Sequence, residues 1–505
     1  MNGISSAIKL NNQNLSKLKA EIRVPSYNRS ALRQNTVHIG VGGFHRAHQA
    51  AYLDDLLALP NTERWGECGM GVMASDERMR DALKGQDYLY TIVERSAEKQ
   101  TARVIGSIVD YVYAPEERER AIEKLAAPET KIVSLTITEG GYFIDEGTRE
   151  FTPEHPDIQH DLQHPGQPVS SLGYIAEALN RRRQRGLPPF TVMSCDNLQG
   201  NGHVIQKVLL AFAGLRDPAL QQWIASKVRF PNSMVDRITP VTTAKDIEFA
   251  ASRFGFQDAW PVVTEPFIQW VIEDEFSNGR PEWEKVGAQL VSDVVPYELM
   301  KMRLLNASHL AMAYLGAVAG YTHVHEIMQD ALFRMFIENF MEEVTPVVPK
   351  IPGTSVKEYK RVLIERFSNP TINDQVTRIC SEGSAKIPKW VLPSIAELLE
   401  TQMSIELLCL VIASWIHYYT QGSDERGQPL TIIDARAAEL TRIAKTAGTD
   451  PRPILAITSI FGEALPANNL FVAKVEAALQ ALSKLGTAAT MRQYSSHTTQ
   501  TVRER

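Results

Sequence analysis

Cysteine is scarce in this chain of 505 residues: there are four, at Cys68, Cys195, Cys380 and Cys409, with no CxxC pair. That spacing excludes a zinc ribbon, whose ligands come in close pairs. Scattered single thiols read as reduced core or near-site residues of a cytosolic protein. An excess of positive charge is missing too, and a net charge of −6 offers no basic surface to nucleic acid. Long apolar runs are absent. The most apolar late run, LLCLVIASWI from Leu407, is too short to span a bilayer. The opening residues, MNGISSAIKLNNQNLSK, carry no apolar core of the signal-peptide kind. No internal repeat is evident, and the polar tail from Ser495 is expected to fray.

What is present is an ordinary globular composition, 44% hydrophobic and 22% charged, in a chain too long for one core. Short β-type runs alternate with helical patterns in the first half. Val37–Ile39, Met70–Met73, Tyr90–Val93, Val104–Ile105, Ile132–Thr138 and Phe190–Met193 read as strands, and Arg46–Leu57 as an amphipathic helix. IVSLTIT from Ile132 is nearly continuous and apolar, as in a strand buried on both faces. The alternation predicts an open α/β sheet. From about residue 290 the pattern turns helical: Tyr297–Gly320, Phe333–Val344, Val356–Arg366, Ile395–Tyr418, Ala435–Thr446 and Phe471–Leu485. The expected domains are therefore 1–289, of the α/β class, and 290–505, mostly helical. The stretch Phe151–Pro168, with His155, His160 and His164, reads as a proline-rich surface loop.

GVGGFHRAH begins at Gly40, directly after the first strand. Gly40 and Gly42 supply the first two glycines of a dinucleotide fingerprint, while His45 stands where the third is expected. Strand before and helix after support a cofactor loop of Gly40, Gly42, Gly43, Phe44 and His45. A glycine turn without a ligand is the alternative. His45 and His48 are spaced like ligands on one helical turn, but no carboxylate or cysteine set completes a metal site. Asp76 follows the second strand, where an acid can bind ribose hydroxyls and repel a 2′-phosphate. This favours NAD, with NADP as the alternative because Arg78 and Arg80 lie close by.

KMRLLNASH, Lys301 to His309, places an amine, a carboxamide and an imidazole in an apolar helical pattern. On a regular helix at about 100° per residue, with Lys301 at zero, Glu298 falls near about 60°, His309 near about 80° and Asn306 near about 140°. Leu304, Ala307, Leu310, Ala311 and Tyr314 share the opposite side, and Leu305 is an apolar intruder on the polar one. Burying four polar groups without partners would cost about 1–3 kcal/mol apiece, and a hydroxyl-rich ligand would compensate. Asn197 follows the Phe190–Met193 strand, at an edge where α/β sheets bind ligands. Asp236 lies in the proline-bounded FPNSMVDRITP, and Arg378 and Lys386 in NPTINDQVTRICSEGSAKIPK are candidate donors. A structural salt bridge is an equal reading for Arg378. His323, His325 and Glu326 form the tightest metal-like cluster and represent the rival of a zinc-dependent alcohol dehydrogenase.

Together these pieces resemble the polyol-specific long-chain dehydrogenases, the mannitol dehydrogenase and hexuronate reductase family. The markers run in order through Thr138-Glu139, SLGY at Ser171, FTVMSCDN at Phe190, MVDRI at Met234, TEPFIQWVIED at Thr264, GRPEWEKVGAQ at Gly279, KMRLLNASH at Lys301 and ERFSNP at Glu365. The resemblance implies a zinc-independent, NAD(P)-dependent oxidoreductase of sugars and polyols, with a Rossmann-type first domain (1–289), a mostly helical second domain (290–505) and its active site between them. It implies Lys301 as general base, Asn197 and Asn306 as holders of the reacting oxygen, and His309, Asp236 and Arg378 as substrate contacts. Lys386 joins these contacts, Glu298 matches an acid that gates proton exchange, and Thr138 and Glu139 join the cofactor site.

A base of this kind needs an amine titrating well below about 10.4, as burial beside a cationic ring would bring about. DQVTRIC and GSAKIPK are similar to enzymes acting on D-mannitol and D-fructose; FTVMSCDN and GRPEWEKVGAQ look like those of uronate reductases. Interconversion of D-mannitol and D-fructose is the expected reaction, with D-fructuronate reduction or D-arabinitol oxidation as alternatives, in a cytoplasmic monomer or small homo-oligomer. The competing class is a catalytically silent nucleotide- or sugar-binding protein, against which the joint presence of Lys301, Asn306, His309 and Asn197 speaks.

Overall fold

The structure is a computed structural model describing residues 7–62, 64–145 and 150–503, with side chains described to 495. The chain divides into two compact units, Met1–Val295 and Pro296–Arg505, where 1–289 and 290–505 were expected.

The first unit is built on a five-stranded parallel sheet. In chain order its strands are Arg33–Ile39, Trp65–Gly71, Ile108–Tyr113, Ile132–Leu135 and Thr191–Ser194. Their spatial order is third, second, first, fourth, fifth, the doubly wound arrangement of dinucleotide-binding folds. Period-2 alternation explains the two-sided burial. Val37, Ile39, Val133, Leu135 and Val192 pack with helices Arg118–Ala126, Ser171–Gln184 and Asn201–Arg216. Ile132, Met193 and Cys195 pack with Tyr52, Leu53 and Leu56 of helix Gln49–Leu57 and with Trp270. Each such aliphatic side chain contributes roughly 1.5–3 kcal/mol when fully buried.

Two expected strands lie elsewhere. Tyr90–Arg95 and Gln100–Ile105 form an antiparallel pair with Val262–Thr264 alongside, a separate three-stranded sheet. A third sheet joins Ser233–Asp236, Gln269–Glu273 and Gln289–Val291. The second strand starts at Trp65, five residues before the expected Met70. Its glycines hide it from propensity, yet packing demands them: a Cβ on Gly69 would lie 2.8 Å from the Tyr111 ring. Phe151–Pro168 is not all loop, because Pro156–Gln163 is a helix with proline in its first turn and His155 as N-cap.

The second unit is helical around one apolar core. Ala307–Val318 and most of Glu406–Thr420 are buried throughout, and Tyr314 meets Tyr418 edge-on at 5.5 Å. The single helix expected over Ile395–Tyr418 is two, Leu392–Glu400 and Glu406–Thr420. Gln402 takes a left-handed φ of 54° between them, and Met403 N–H bonds back to Leu398 O, closing the first helix as a glycine would. Residues 495–503 of the tail, where fraying was expected, lie in helix Thr487–Arg503; residues 504–505 lie outside the described residues. Among the described residues no helix is long and apolar enough to cross a membrane.

Candidate active site

The first and fourth sheet strands flank the point where the strand order reverses, and a cleft of about 270 Å³ opens at their carboxyl ends. Gly40, Gly42, Asp76, Thr136 and Thr138 line it. Gly40 has a φ of +90°, and a Cβ there would strike Thr136 O at 2.2 Å, so only glycine fits. Above Gly42 the space is open, its virtual Cβ meeting nothing nearer than Gly40 O at 3.9 Å. The turn is buttressed from below: Thr136 Oγ1 donates to Gly40 O at 2.7 Å and therefore accepts from His38 Nε2 at 2.9 Å. Burial, then the neighbouring His45, holds the His38 imidazole well below the usual histidine range.

His45 corrects one expectation. Its side chain is fully buried, stacked on His38 at 3.3 Å with Nε2 2.6 Å from Glu67 Oε1, and so belongs to the core beneath the turn. Gly43 opens the short helix Gly43–Ala47, and Phe44 stacks on His48 at 5.0 Å; neither lines the cleft, and Glu139, though exposed beside Thr138, does not either. Asp76 does. Its Oδ2 accepts from Met73 N–H at 2.9 Å, and burial lifts its carboxyl above the usual range. The two neighbouring arginines are engaged elsewhere: Arg78 lies over the Trp260 ring at 4.1 Å, and Arg80 pairs with Glu77, Asp81 and Glu116.

Thr138 has φ 60° and ψ 170°, a region used almost only by glycine and costing about 1–3 kcal/mol for other residues. Asp196 holds it there. Its Oδ1 accepts Thr138 N–H at 2.9 Å, and its Oδ2 accepts Ile137 N–H at 2.9 Å and Tyr142 Oη at 2.7 Å. Neither Asp196 nor Tyr142 is singled out by sequence, since the left-handed threonine they hold carries no sequence mark. Asn197 follows Asp196 and is exposed, while Asp236 ends its strand in a buried position. Asn201 ties the two segments together, donating to Asp196 O and Ser233 O.

In the second unit Glu298, Lys301, Asn306 and His309 are 4%, 8%, 5% and 9% exposed. They do not lie on a regular α-helix. Lys301–Asn306 is a π-helical turn between Val295–Met300 and Ala307–Val318, and Ala307 N–H bonds to Met302 O five residues back. Such turns recur at functional sites. An i→i+5 turn advances less than 100° per residue, so Asn306 swings back toward the azimuth of Lys301 rather than standing about 140° away. The His309 ring lies 4.6 Å from Phe367 of the ERFSNP segment. Arg303 points elsewhere, to Val347 O and Glu397.

Arg378 forms a salt bridge. Asp374 grips it at two points, 2.7 and 2.6 Å, on an exposed guanidinium. Lys386 Nζ donates to Ile379 O at 3.1 Å and lies 5.8 Å from the Trp390 ring centre. In the HVHE cluster, Glu326 Oε2 accepts the backbone N–H groups of Thr322 and His323, which makes it the cap of helix Val324–Gln329.

Residues 34–285 match the profile of the mannitol dehydrogenase Rossmann domain, and 293–483 that of the mannitol dehydrogenase C-terminal domain. The chain is 48% identical to a mannitol 2-dehydrogenase of Neosartorya fischeri over 96% of this chain and 99% of that protein. It is 47% identical to Pseudomonas fluorescens mannitol 2-dehydrogenase, solved as a ternary complex with NAD and D-mannitol. That match has a TM-score of 0.87 and covers 96% and 99% of the two chains. A substrate-free D-sorbitol dehydrogenase matches at a TM-score of 0.88 and 35% identity, over 95% of this chain and all (100%) of the other.

Proposed function

Because the chain belongs to the mannitol dehydrogenase family in both of its domains, we propose that it is an NAD-dependent polyol dehydrogenase interconverting D-mannitol and D-fructose. The observation that carries this reading is the π turn of the second unit, which keeps a lysine, an asparagine and, one turn on, a histidine polar within an apolar helix.

The cleft of the first unit fits a dinucleotide in its donor set: open backbone at Gly42 for a pyrophosphate, and the Asp76 carboxylate for a ribose diol. When bound, NAD supplies the acceptor for the hydrogen and electron pair that leave the carbinol carbon. With Arg78 and Arg80 both engaged, the cleft favours NAD over a 2′-phosphorylated cofactor. Lys301 takes the hydroxyl proton in the oxidative direction and returns it to the carbonyl in the reductive one. Asn306 donates to the developing alkoxide, a contribution of about 3–4 kcal/mol where comparable donors have been removed. His309 binds a neighbouring substrate hydroxyl, and Glu298, one turn before Lys301, passes the proton outward. In the first unit Asn197 acts as a donor to substrate oxygen and Asp236 as an acceptor. Arg378 offers the N–H groups that Asp374 leaves over, and Lys386 adds a further donor. Four buried, unpaired thiols suit a reducing compartment, and we place the enzyme in the cytoplasm as a monomer or small homo-oligomer.

Absorbance of the reduced cofactor, followed with D-mannitol, D-sorbitol, D-arabinitol and, in reverse, D-fructose and D-fructuronate, tests the assignment. D-mannitol and D-fructose should give the highest kcat/KM. Lys301→Ala should nearly abolish turnover, leave NADH binding measurable and respond to added small amines. A variant that keeps most of its activity ends the role of Lys301.

A further inference from the structure

The strained turn at Thr138 points to a residue outside the catalytic set. We propose that Asp196 is a positioning residue that holds Thr138 in its glycine-like conformation and thereby shapes the wall of the dinucleotide cleft; this rests on the cofactor reading above. Thr138 lines that cleft with φ 60° and ψ 170°. A side chain remains in such a conformation only where its surroundings over-determine it. Here one carboxylate does so, accepting Ile137 N–H and Thr138 N–H through different oxygens and Tyr142 Oη besides.

The carboxylate is itself fixed at the end of the fifth strand. Ser194 Oγ lies 2.5 Å from Tyr142 Oη, whose proton goes to Asp196, so the serine donates to the tyrosine. Asn201 holds the backbone of Asp196 by bonding to its carbonyl, and Ser233 Oγ holds that of Ser194. The chain thus transmits the position of the fifth strand to the end of the fourth, across the strand pair Ile132–Leu135 and Thr191–Ser194. Two backbone N–H groups meeting two acceptor oxygens is an arrangement an amide cannot copy, because its NH2 would face one of them.

Asp196→Asn should therefore leave one N–H without an acceptor and let the turn relax. The expected outcome is a KM for NAD and an NADH dissociation constant raised about tenfold, with KM for D-mannitol unchanged within about twofold. Thr138→Gly in the same background removes the strain and should recover about threefold or more of the lost NADH affinity. Tyr142→Phe, which leaves both backbone bonds intact, should shift NADH affinity less than Asp196→Asn. An Asp196→Asn protein that binds NADH as the wild type does, or whose loss glycine at 138 does not relieve, overturns the proposal. So does a variant whose only change is a lower thermal midpoint. NADH titration needs no substrate, so wild-type protein inactive on every polyol would sink the proposed reaction and leave this test standing.

Discussion

Arg378 shows how much a single side chain's partner decides. The sequence leaves it poised between substrate donor and salt bridge, because an Asp374-x-x-x-Arg378 spacing supports either. In the structure Asp374 takes Nε and Nη2 of the fork, which fixes the plane of an exposed guanidinium without consuming its other N–H groups. A substrate contact made by a clamped fork predicts a graded result. Arg378→Ala should raise KM for D-mannitol about tenfold or more, as loss of a charged hydrogen bond would. Asp374→Asn should raise it in the same direction by less, and KM for NAD should stay put in both. A fall in thermal midpoint with KM unchanged would reduce the pair to a brace for helix Val376–Cys380. Lys301 and Asn306 could be picked out as candidates because each is polar in an apolar helical pattern, and Asp76 because it follows a strand of the sheet. Asp196 was not, since its importance comes from a backbone conformation 58 residues away.

At the scale of the element, the π turn does what an unbroken α-helix would not. A wheel at regular pitch puts Asn306 well away from Lys301, and the polar face is wide and diluted by Leu305. One wider turn swings the carboxamide back toward the amine while Leu304, Ala307 and Leu310 stay in the core. That widening is invisible to periodicity, which assumes the pitch it sets out to detect. Deleting Met302, the least buried residue of the turn, should restore an ordinary i→i+4 ladder and, by placing Asn306 four residues after Lys301 instead of five, keep it about 40° from the lysine. Turnover should stay within about tenfold of the wild type, short of the roughly hundredfold or greater fall that follows loss of an oxyanion donor, with little loss of helix content or thermal midpoint. A fall of that larger size with the fold intact would show that the wider turn does more than set the azimuth of Asn306. The break at Gln402 escaped the sequence for a related reason: a left-handed cap normally announces itself as glycine or asparagine, and here it is glutamine.

Across the whole molecule, the alternation of apolar runs and helical patterns was enough for an open α/β sheet followed by a helical domain. Which strands pair was not, and Tyr90–Arg95 and Gln100–Ile105 belong to another sheet because register depends on partners far along the chain. The first unit also carries buried ionisable groups whose linkage to folding has a definite sign. Burial pushes the Asp54 carboxyl up to about 6, although Tyr27 Oη and Gly106 N–H both donate to its Oδ1. Its folded value exceeds its unfolded one, so its contribution is fully present below about pH 4 and is lost as pH rises to about 6. The span corresponds to about 3 kcal/mol. His38, held neutral by burial, acts with the opposite sign and lowers stability as pH falls below about 6.5. Asp54→Asn separates the two, because an amide oxygen in place of Oδ1 keeps both hydrogen bonds while the charge is gone and His38 is untouched. The thermal midpoint of Asp54→Asn relative to wild type should therefore be lowest near pH 4 and climb to a plateau above pH 6. A difference that stays flat across that range would mean that Asp54 keeps the same proton affinity folded and unfolded.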